Sequence, residues 1–295
     1  MNLASANSAK SPKASVILNN MTILAIDFMN QAHRARSGFQ MGPAPVVFNF
    51  FRQFKALVDQ FRPTRIYVAL EGRPVHRYEA MGEYKANRKV EPDDPRAKEL
   101  EKFFKQKDVI VDLLQKHFPV SVVRHPTCEC DDTLANLVMR SSSAVDWVLV
   151  SSDTDFIQLL QDHPNLKLYN PVQKKFVEAP EYDYVVWKAL RGDATDNIPG
   201  VPGIGDKTAE KIALDPVLLK EYVAKSEVEP IFNRNYDLIK FKEWTEEEVA
   251  QMTSSAPTKN WDTVKEVFAG YGFNSMLKEG AWEKFTCSFD NLWGE

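Results

Sequence analysis

Short apolar runs recur along the first two thirds of the chain, and each has the length of a buried strand. They predict strands at residues 23–26, 65–70, 121–124, 147–150 and 166–169. Residues 46–61 carry apolar side chains at three- and four-residue steps, which is typical of a core-facing helix, and Pro63 ends it. Further helices are predicted at 131–139 and 155–160. Strands that alternate with helices indicate an α/β domain with a mostly parallel central sheet flanked by helices.

Composition divides the chain into three predicted regions. Residues 1–20 are small and polar and lack the apolar block of a secretory signal, so we expect a flexible leader. Residues 21–190 hold the predicted strands, and the charged stretch from 74 to about 108 predicts an exposed insertion. From 191 to 295 a Gly- and Pro-rich loop precedes short helical segments, which predicts a separate helical module.

The overall composition excludes some classes of protein. The chain is 44% hydrophobic and 26% charged, and its apolar runs are too short to cross a bilayer. The three cysteines form no disulfide framework, which suits a reducing compartment. Cys128 and Cys130 flank Glu129, but a C-x-C without a second pair favours ordinary thiols over a zinc site.

The charge argues against an indiscriminate nucleic-acid binder. The formal net charge is −4 and the pI is near 5.8, whereas affinity for phosphate comes mainly from Lys and Arg. A pocket that holds divalent cations must concentrate carboxylates, however, and such a pocket would mask a basic face in the net charge. The location of the acidic residues therefore matters more than their sum.

Acidic residues follow three predicted strands directly. Asp27 follows the first strand, Glu71 the second, and Asp153 and Asp155 the fourth. The carboxyl ends of parallel strands meet at one edge of a sheet, where ligands of open α/β folds bind. We therefore expect these side chains to converge.

Two further pairs of acids have helical spacing. Glu129 and Asp132 are three residues apart, as are Asp193 and Asp196, and Asp131 lies within the first pair. Taken singly, an Asp at a helix start is usually a cap, and Asp-x-Asp also occurs in phosphatases and glycosyltransferases. A cluster of carboxylates would repel itself unless cations neutralised it, and oxygen ligands select Mg²⁺ or Mn²⁺.

Two basic segments are open to two interpretations on composition alone. Residues 76–89 include basic side chains and a tyrosine, which suit phosphate and an unpaired base but also suit a solvated charged helix. The glycines of loop 200–205 would let the backbone approach a phosphate, with Lys207 and Lys211 one turn apart beyond it. A plain helix-to-helix turn is the alternative for this loop.

Four strings together resemble a known family. EYKANR (83–88), ECDD (129–132), SSDTDF (151–156) and GDATDNIPGVPGIGDKTA (192–209) occur in the order found in the flap endonuclease and 5′ to 3′ exonuclease family. Phage enzymes and the 5′-nuclease domains of bacterial DNA polymerases belong to it. The resemblance implies a PIN-like nuclease core, a helical arch at about 74–117 and a helix-hairpin module with its loop at 200–205.

The resemblance also implies roles for particular residues. The metal-binding positions would be Asp27, Glu71, Glu129, Asp131, Asp132, Asp153, Asp155, Asp193 and Asp196. Lys85 and Arg88 would be catalytic basic residues at the base of the arch. The DNA-binding positions would be Arg34, Tyr84, Lys89, Gly200, Gly203, Gly205, Lys207 and Lys211. Glu71 departs from the family, which often has Asp there.

The implied function is hydrolysis of phosphodiester bonds of DNA at 5′ flaps and 5′ ends by two Mg²⁺ or Mn²⁺ ions, with K⁺ as a candidate ligand of the hairpin loop. The partner would be DNA with a 5′ single-stranded end or flap next to duplex. We expect a monomer that does not bind membranes and lies in the cytoplasm of a bacterial or phage-infected cell. Two alternatives stay open: a catalytically inactive DNA-junction binder, and an unrelated single-metal enzyme that transfers phosphate or sugar through its DTD motif.

Overall fold

A seven-stranded sheet forms the centre of the protein in the computed structural model, which describes residues 21–88, 91 and 93–292. Its strands lie in the order β6-β5-β4-β1-β2-β3-β9. The inner five are parallel and the two edge strands are antiparallel to their neighbours. The strands are β1 (Thr22–Asp27), β2 (Arg65–Leu70), β3 (Ser121–Arg124), β4 (Asp146–Val150), β5 (Leu166–Asn170), β6 (Lys175–Val177) and β9 (Thr253–Ser254). A separate two-stranded ladder is formed by β7 (Gly192–Asp193) and β8 (Ile198–Pro199).

Helices flank the sheet and continue beyond it. They are α1 (Phe28–Arg36), α2 (Pro45–Phe61), α3 (Val75–Ala80), α4 (Ala97–His117), α5 (Cys130–Met139), α6 (Tyr184–Arg191), α7 (Asp206–Leu214), α8 (Pro216–Val223), α9 (Glu229–Ile239), α10 (Glu246–Gln251), α11 (Trp261–Gly270), α12 (Asn274–Leu277) and α13 (Ala281–Cys287). Short 3-10 helices lie at Ala86–Arg88, Asp155–Leu159 and Asp290–Leu292. The predicted mostly parallel sheet flanked by helices is confirmed.

The two faces of the sheet bury different residues because side chains alternate along a strand. On one face, Leu24 and Ile26 of β1 pack with the phenylalanines of α2 and with α4. On the other face, Ile23 and Ala25 pack with α5 and the 3-10 helix at Asp155–Leu159. The sequence predicts a helix at 155–160, and the structure forms a 3-10 helix over Asp155–Leu159. Its amides bond three residues back, as from Ile157 to Thr154, and Asp153 accepts the Asp155 amide.

A third cluster of apolar residues holds the helical part that follows the sheet. It joins α6, α7 and α9 through residues such as Leu190, Ile212 and Leu238. Asn235, which is fully buried, donates to the carbonyls of Ala189 and Pro199 and so ties α9 to the ladder of β7 and β8. This helical module begins with α6, before the predicted boundary at residue 191.

The last part of the chain packs with the sheet and not with the helical module. Strand β9 pairs with β3, and Phe268, Phe285 and Phe289 belong to the same cluster as Phe51 of α2. The predicted module of residues 191–295 is therefore corrected, since the aromatic faces of α11 and α13 are buried against the core. The C-terminal half of α4 is likewise a core helix, because Ile110, Leu113 and Leu114 are buried there.

No helix among the described residues has both the length and the apolar character needed to cross a membrane.

Phe118, at the end of α4, connects the aromatic rings of this core. It is fully buried, its ring stacks on Phe51 at 4.9 Å between centroids, and Trp261 and Phe289 lie 5.2 and 5.4 Å away. We expect Phe118→Ala to lower the free energy of unfolding by about 3–5 kcal/mol in urea denaturation, because it leaves a cavity among rings from three helices. Phe104→Ala, at a position 44% exposed on α4, is the control and should have a small effect. A loss below about 1 kcal/mol at Phe118 would contradict this account of the core.

Candidate functional site

One group of acidic residues forms where β1 ends and α5 begins. Asp27 is the last residue of β1 and caps α1 by accepting the Asn30 amide at 3.0 Å. Its other oxygen accepts a hydrogen bond from the Ser151 hydroxyl at 2.8 Å. Potential ligand atoms of Asp27, Cys130 and Asp131 all lie within 4.8 Å of one another. The expected convergence at the carboxyl ends of the strands therefore occurs for these residues.

Electrostatic repulsion within this group is strong. Burial, with further contributions from Glu71 and Asp153, raises the pKa of Asp27 to about 6. Burial also raises the pKa of Asp131 well above its ordinary value, and Asp27, Asp153 and Glu71 raise it further. No lysine or arginine in the described part of the chain forms an ion pair with Asp131. Asp27, Glu71 and Asp131 therefore lack a directly paired protein cation within the described residues.

Glu71, the departure from the usual family residue, reaches the same group from β2. Its carboxylate accepts the Cys130 amide at 3.1 Å and the Cys130 thiol at 3.3 Å. Desolvation and the nearby Glu129 raise its pKa. The longer Glu71 side chain thus lies at the edge of this group, where it bonds to Cys130 at the start of α5.

A second group of acidic residues lies beside the first. Oxygens of Asp155, Asp193 and Asp196 lie within 4.8 Å of one another. Burial raises the pKa of Asp155 to about 6, although Lys188 opposes the shift. Asp153 lies next to Asp155 and accepts its amide at 2.9 Å.

Lys188, which the sequence did not single out, neutralises part of the second group. Its ammonium is buried in α6, contacts Asp155 and pairs with Asp193 at 2.7 Å. Burial opposes ionisation of Asp193, but Lys188 outweighs it and lowers that carboxyl pKa. A buried lysine therefore neutralises part of the second group, whereas no such ion pair is found in the first group among the described residues. Its signal in the sequence was a lysine on the otherwise apolar face of α6.

Glu129 and Asp132 join neither group, because a buried arginine holds them. Arg77 of α3 donates to both oxygens of Asp132, at 2.5 and 2.7 Å, and to Glu129 at 2.9 Å. Glu129 and Asp132 also form a capping box at the start of α5. Both of these predicted metal positions therefore pair with buried protein cations, Arg77 and Lys85.

Tyr84, one of the predicted DNA-binding residues, is buried in this structure. Its ring is 3% exposed, and its hydroxyl lies 2.8 Å from Glu129 and 2.9 Å from Asp196. It therefore links the start of α5 to the second acidic group. A tyrosine between basic residues gave no sign of this burial in the sequence.

Lys85 and Arg88 lie at the second acidic group. The Lys85 ammonium is 2.5 Å from Glu129 and 3.6 Å from Asp196. Burial opposes its charge, but Glu129 and Asp196 outweigh burial and raise its pKa. Arg88 pairs with Asp196 at 2.5 Å, and half of its side chain is exposed. Both cations therefore lie beside Asp196.

Segment 83–88 is bonded to the loop that carries Asp193 and Asp196. The Lys85 amide donates to the Asp196 carbonyl at 3.0 Å, and the Asn87 side chain donates to the Ala194 carbonyl at 2.9 Å. Lys85 and Asn197 both have positive φ, at 53° and 61°, a conformation that costs free energy in residues with a side chain. These bonds fix the position of Lys85 relative to the loop that carries Asp193 and Asp196.

An open cleft of about 600 Å³ runs along the second group. Acidic and basic side chains share its wall, and those that carry charge are Arg88, Asp153, Asp155, Lys188, Arg191, Asp193 and Asp196. A phosphate entering the cleft would meet both signs of charge.

The loop at 200–205 makes the turn between the ladder of β7 and β8 and helix α7. A Cβ at Gly200 would lie 2.0 Å from the Arg191 carbonyl, and Gly203 has φ +80° with open space beside it. Gly205 caps α7 without a side chain, while Lys207 and Lys211 are exposed on that helix. The loop thus presents the backbone of Gly203 and Gly205 and the two lysines to solvent.

Arg34 and Lys89 are the two remaining residues predicted to contact DNA. Arg34 is half-buried on α1 and donates to Gln53 at 3.2 Å, with no acidic partner among the described residues. Lys89 lies outside the described residues.

Comparison with known proteins adds three findings. A family model described as the 5′-3′ exonuclease, N-terminal resolvase-like domain, matches residues 22–187. DNA polymerase I of Caldicellulosiruptor bescii is 32% identical over 67% of this chain and 23% of its own length. The 5′-3′ exonuclease of Mycobacterium tuberculosis is 30% identical over 57% of this chain and 59% of its own length. This chain therefore spans about a quarter of the first relative and about three fifths of the second.

A solved structure shares the fold. The bacteriophage T5 D15 flap endonuclease, in a complex with DNA and metal ions, superposes with a TM-score of 0.60. The match covers 92% of this chain and 98% of that chain at 18% identity.

Removal of Arg77 should destabilise the protein strongly. We expect Arg77→Ala to lower the free energy of unfolding by about 3–5 kcal/mol, because Glu129 and Asp132 would stay buried without a cation. Arg77→Lys should recover only part of this loss, since an ammonium cannot bond both Asp132 oxygens in a fork. Urea denaturation measures the effect.

Two controls separate this effect from loss of a surface charge. Lys102→Ala breaks the exposed pair with Glu99 and should change stability little. Adding Asp132→Asn to Arg77→Ala should cost less than the sum of the two single changes. Additive losses would contradict the assigned pairing.

Proposed function

Because the chain belongs to the 5′-3′ exonuclease family, we propose that it is a structure-specific 5′ nuclease. It hydrolyses phosphodiester bonds of DNA at 5′ flaps and 5′ ends and needs two divalent cations, Mg²⁺ or Mn²⁺. The observation that carries this proposal is the pair of adjacent acidic groups, of which the group at Asp131 forms no ion pair with a lysine or arginine in the part of the chain that the structure describes. DNA with a 5′ single-stranded end beside duplex is the proposed substrate.

The donor set fits hard divalent cations. Asp27 and Asp131 offer carboxylate oxygens in the first group, and Asp155, Asp193 and Asp196 offer them in the second. Glu71 and Asp153 border the first group and would ligate directly or through water. Cations bound there would neutralise the scissile phosphate and lower the pKa of an attacking water. The raised pKa values of Asp27 and Asp131 are those expected of ligands without their cation.

Lys85 and Arg88 would stabilise the phosphate as its charge grows. Both now lie beside Asp196, a residue of the cleft wall. A cation bound by Asp196 would weaken its attraction for Arg88 and Lys85 and so favour their contact with phosphate. Such donors act strongly because the site already holds them in position.

The helix-hairpin loop would hold the duplex next to the cleaved strand. Its exposed glycine backbone and the start of α7 suit a phosphate, and Lys207 and Lys211 add positive charge nearby. Such contacts read the backbone and not the bases, so we propose little sequence preference. Binding of K⁺ at this loop, a monomeric state and a cytoplasmic location are parts of the same proposal.

Asp131→Asn tests the metal-dependent activity directly. We expect it to reduce Mg²⁺-dependent cleavage of a 5′-flap duplex by roughly 1000-fold, since several kcal/mol of transition-state stabilisation depend on the cations. Binding of the flap in Ca²⁺ should survive, measured by fluorescence anisotropy. Without cations the variant should be no less stable than the wild type, because one repelling charge is gone.

Asp146→Asn is the matched control, because Asp146 lies at the opposite end of β4 from Asp153. It should cleave as the wild type does. If Asp131→Asn cleaved at the wild-type rate, the proposed metal-dependent mechanism at this site would be contradicted. Flap binding by a wild-type protein that never cleaves would instead favour the inactive junction binder.

Lys85→Ala tests the phosphate role of that side chain. We expect single-turnover cleavage to fall on the order of 100-fold, the loss typical for one preorganised donor in a charged transition state. Lys265→Ala, at an exposed position of α11, is the control and should leave the rate unchanged. Unchanged single-turnover cleavage by Lys85→Ala would contradict the role.

A further inference from the structure

Cys130 places a sulfur atom within the first acidic group. It is the first residue of α5 and is 1% exposed. Its Sγ lies 3.2 Å from an Asp131 oxygen, 3.3 Å from a Glu71 oxygen and 3.7 Å from an Asp27 oxygen. Three carboxylates therefore surround one thiol.

These separations match those between ligands of a single cation. Zinc binds sulfur at about 2.3 Å and carboxylate oxygen at about 2.0–2.2 Å, so a tetrahedral site puts the two ligand atoms about 3.5 Å apart. The distances from Sγ to Asp131, Glu71 and Asp27 span that value. Little rearrangement is needed for one ion to contact sulfur and oxygen together.

The other thiol of the C-x-C pair has a different environment. Cys128 lies two residues earlier, beside Thr127 and a pocket lined by His76 and Trp244. Among the described residues it belongs to neither acidic group. The two cysteines thus form a natural pair for comparison, since both are buried and Cys130 is the one whose sulfur contacts Asp27, Glu71 and Asp131.

We propose that Cys130, with Asp27 and Asp131, forms a mixed sulfur and oxygen site that selects thiophilic divalent cations such as Zn²⁺ and Cd²⁺ over Mg²⁺. This inference rests on the proposed function, because it concerns the same cation site. Soft thiolate ligands prefer Zn²⁺ and Cd²⁺, whereas an all-oxygen set favours Mg²⁺ and Mn²⁺. When the ion binds, the thiol proton leaves to solvent and a sulfur lone pair forms the bond to the metal.

The consequence is a built-in sensitivity of the site to the metal that is present. A thiophilic ion held by sulfur would occupy the place of Mg²⁺ in the first group. Tetrahedral sites with sulfur ligands also differ from the octahedral oxygen geometry that Mg²⁺ requires.

Cadmium titration of the metal-free protein tests the proposal. The wild type should develop the ultraviolet charge-transfer absorption of a cadmium–thiolate bond at one equivalent of Cd²⁺. Cys130→Ser should lack this band and bind Cd²⁺ more weakly in calorimetry, by on the order of 10- to 100-fold, the loss usual when a supporting group of a metal site is removed. Cys130→Ala provides a second variant with no polar atom at this position.

Cys128→Ser and Cys287→Ser are the matched controls and should keep both the band and the affinity. A band that survives in both Cys130 variants, or that vanishes in Cys128→Ser, would overturn the proposal. Mg²⁺-dependent flap cleavage by the wild type, measured in parallel, separates the two claims. Cleavage without a cadmium–thiolate band rejects only the sulfur ligand, whereas absence of both Mg²⁺ binding and cleavage rejects the proposed function.

Discussion

Repulsion among carboxylates at one edge of the sheet is the constraint on which the rest of the site depends. Parallel strands bring Asp27 and Glu71 to the same edge, and the start of α5 adds Asp131. Like charges at such distances cannot all ionise without compensation. Glu129 and Asp132 have that compensation through Arg77 and Lys85, while Asp27 and Asp131 form no ion pair with any cation of residues 21–88, 91 and 93–292.

The segment from Arg77 to Arg88 therefore has a structural role beside its proposed role towards DNA. Arg77 holds the start of α5 through its bonds to Asp132, and the Tyr84 hydroxyl joins Glu129 at the start of α5 to Asp196. The backbone bond from Lys85 to Asp196 extends this connection to the helical module. The acids at the start of α5 and those on the loop are thus positioned by one short segment, so a displacement of that segment would disturb both.

The strands and the convergence of acids could be predicted because each depends on local pattern. An apolar run followed by Asp27 or Asp153 locates a strand end, and parallel pairing of the strands brings these ends to the same edge of the sheet. Burial of Tyr84 and the placement of Lys188 between acids could not be predicted, because they depend on how distant helices meet. The packing of α11 and α13 on α2 was missed for the same reason, since their apolar stripes fit any apolar partner.

Strand β9 makes completion of the central sheet depend on a segment late in the chain. It pairs with β3 across about 130 residues of intervening chain, and the core of that face draws on residues from Leu24 to Leu292. Contacts so distant in sequence slow folding, because a long loop must close before they form. During synthesis Phe51 and Phe54 of α2 lack their contacts with Phe268 and Phe289 until the C-terminal helices leave the ribosome. This interval is when the chain is most prone to aggregate or to need a chaperone.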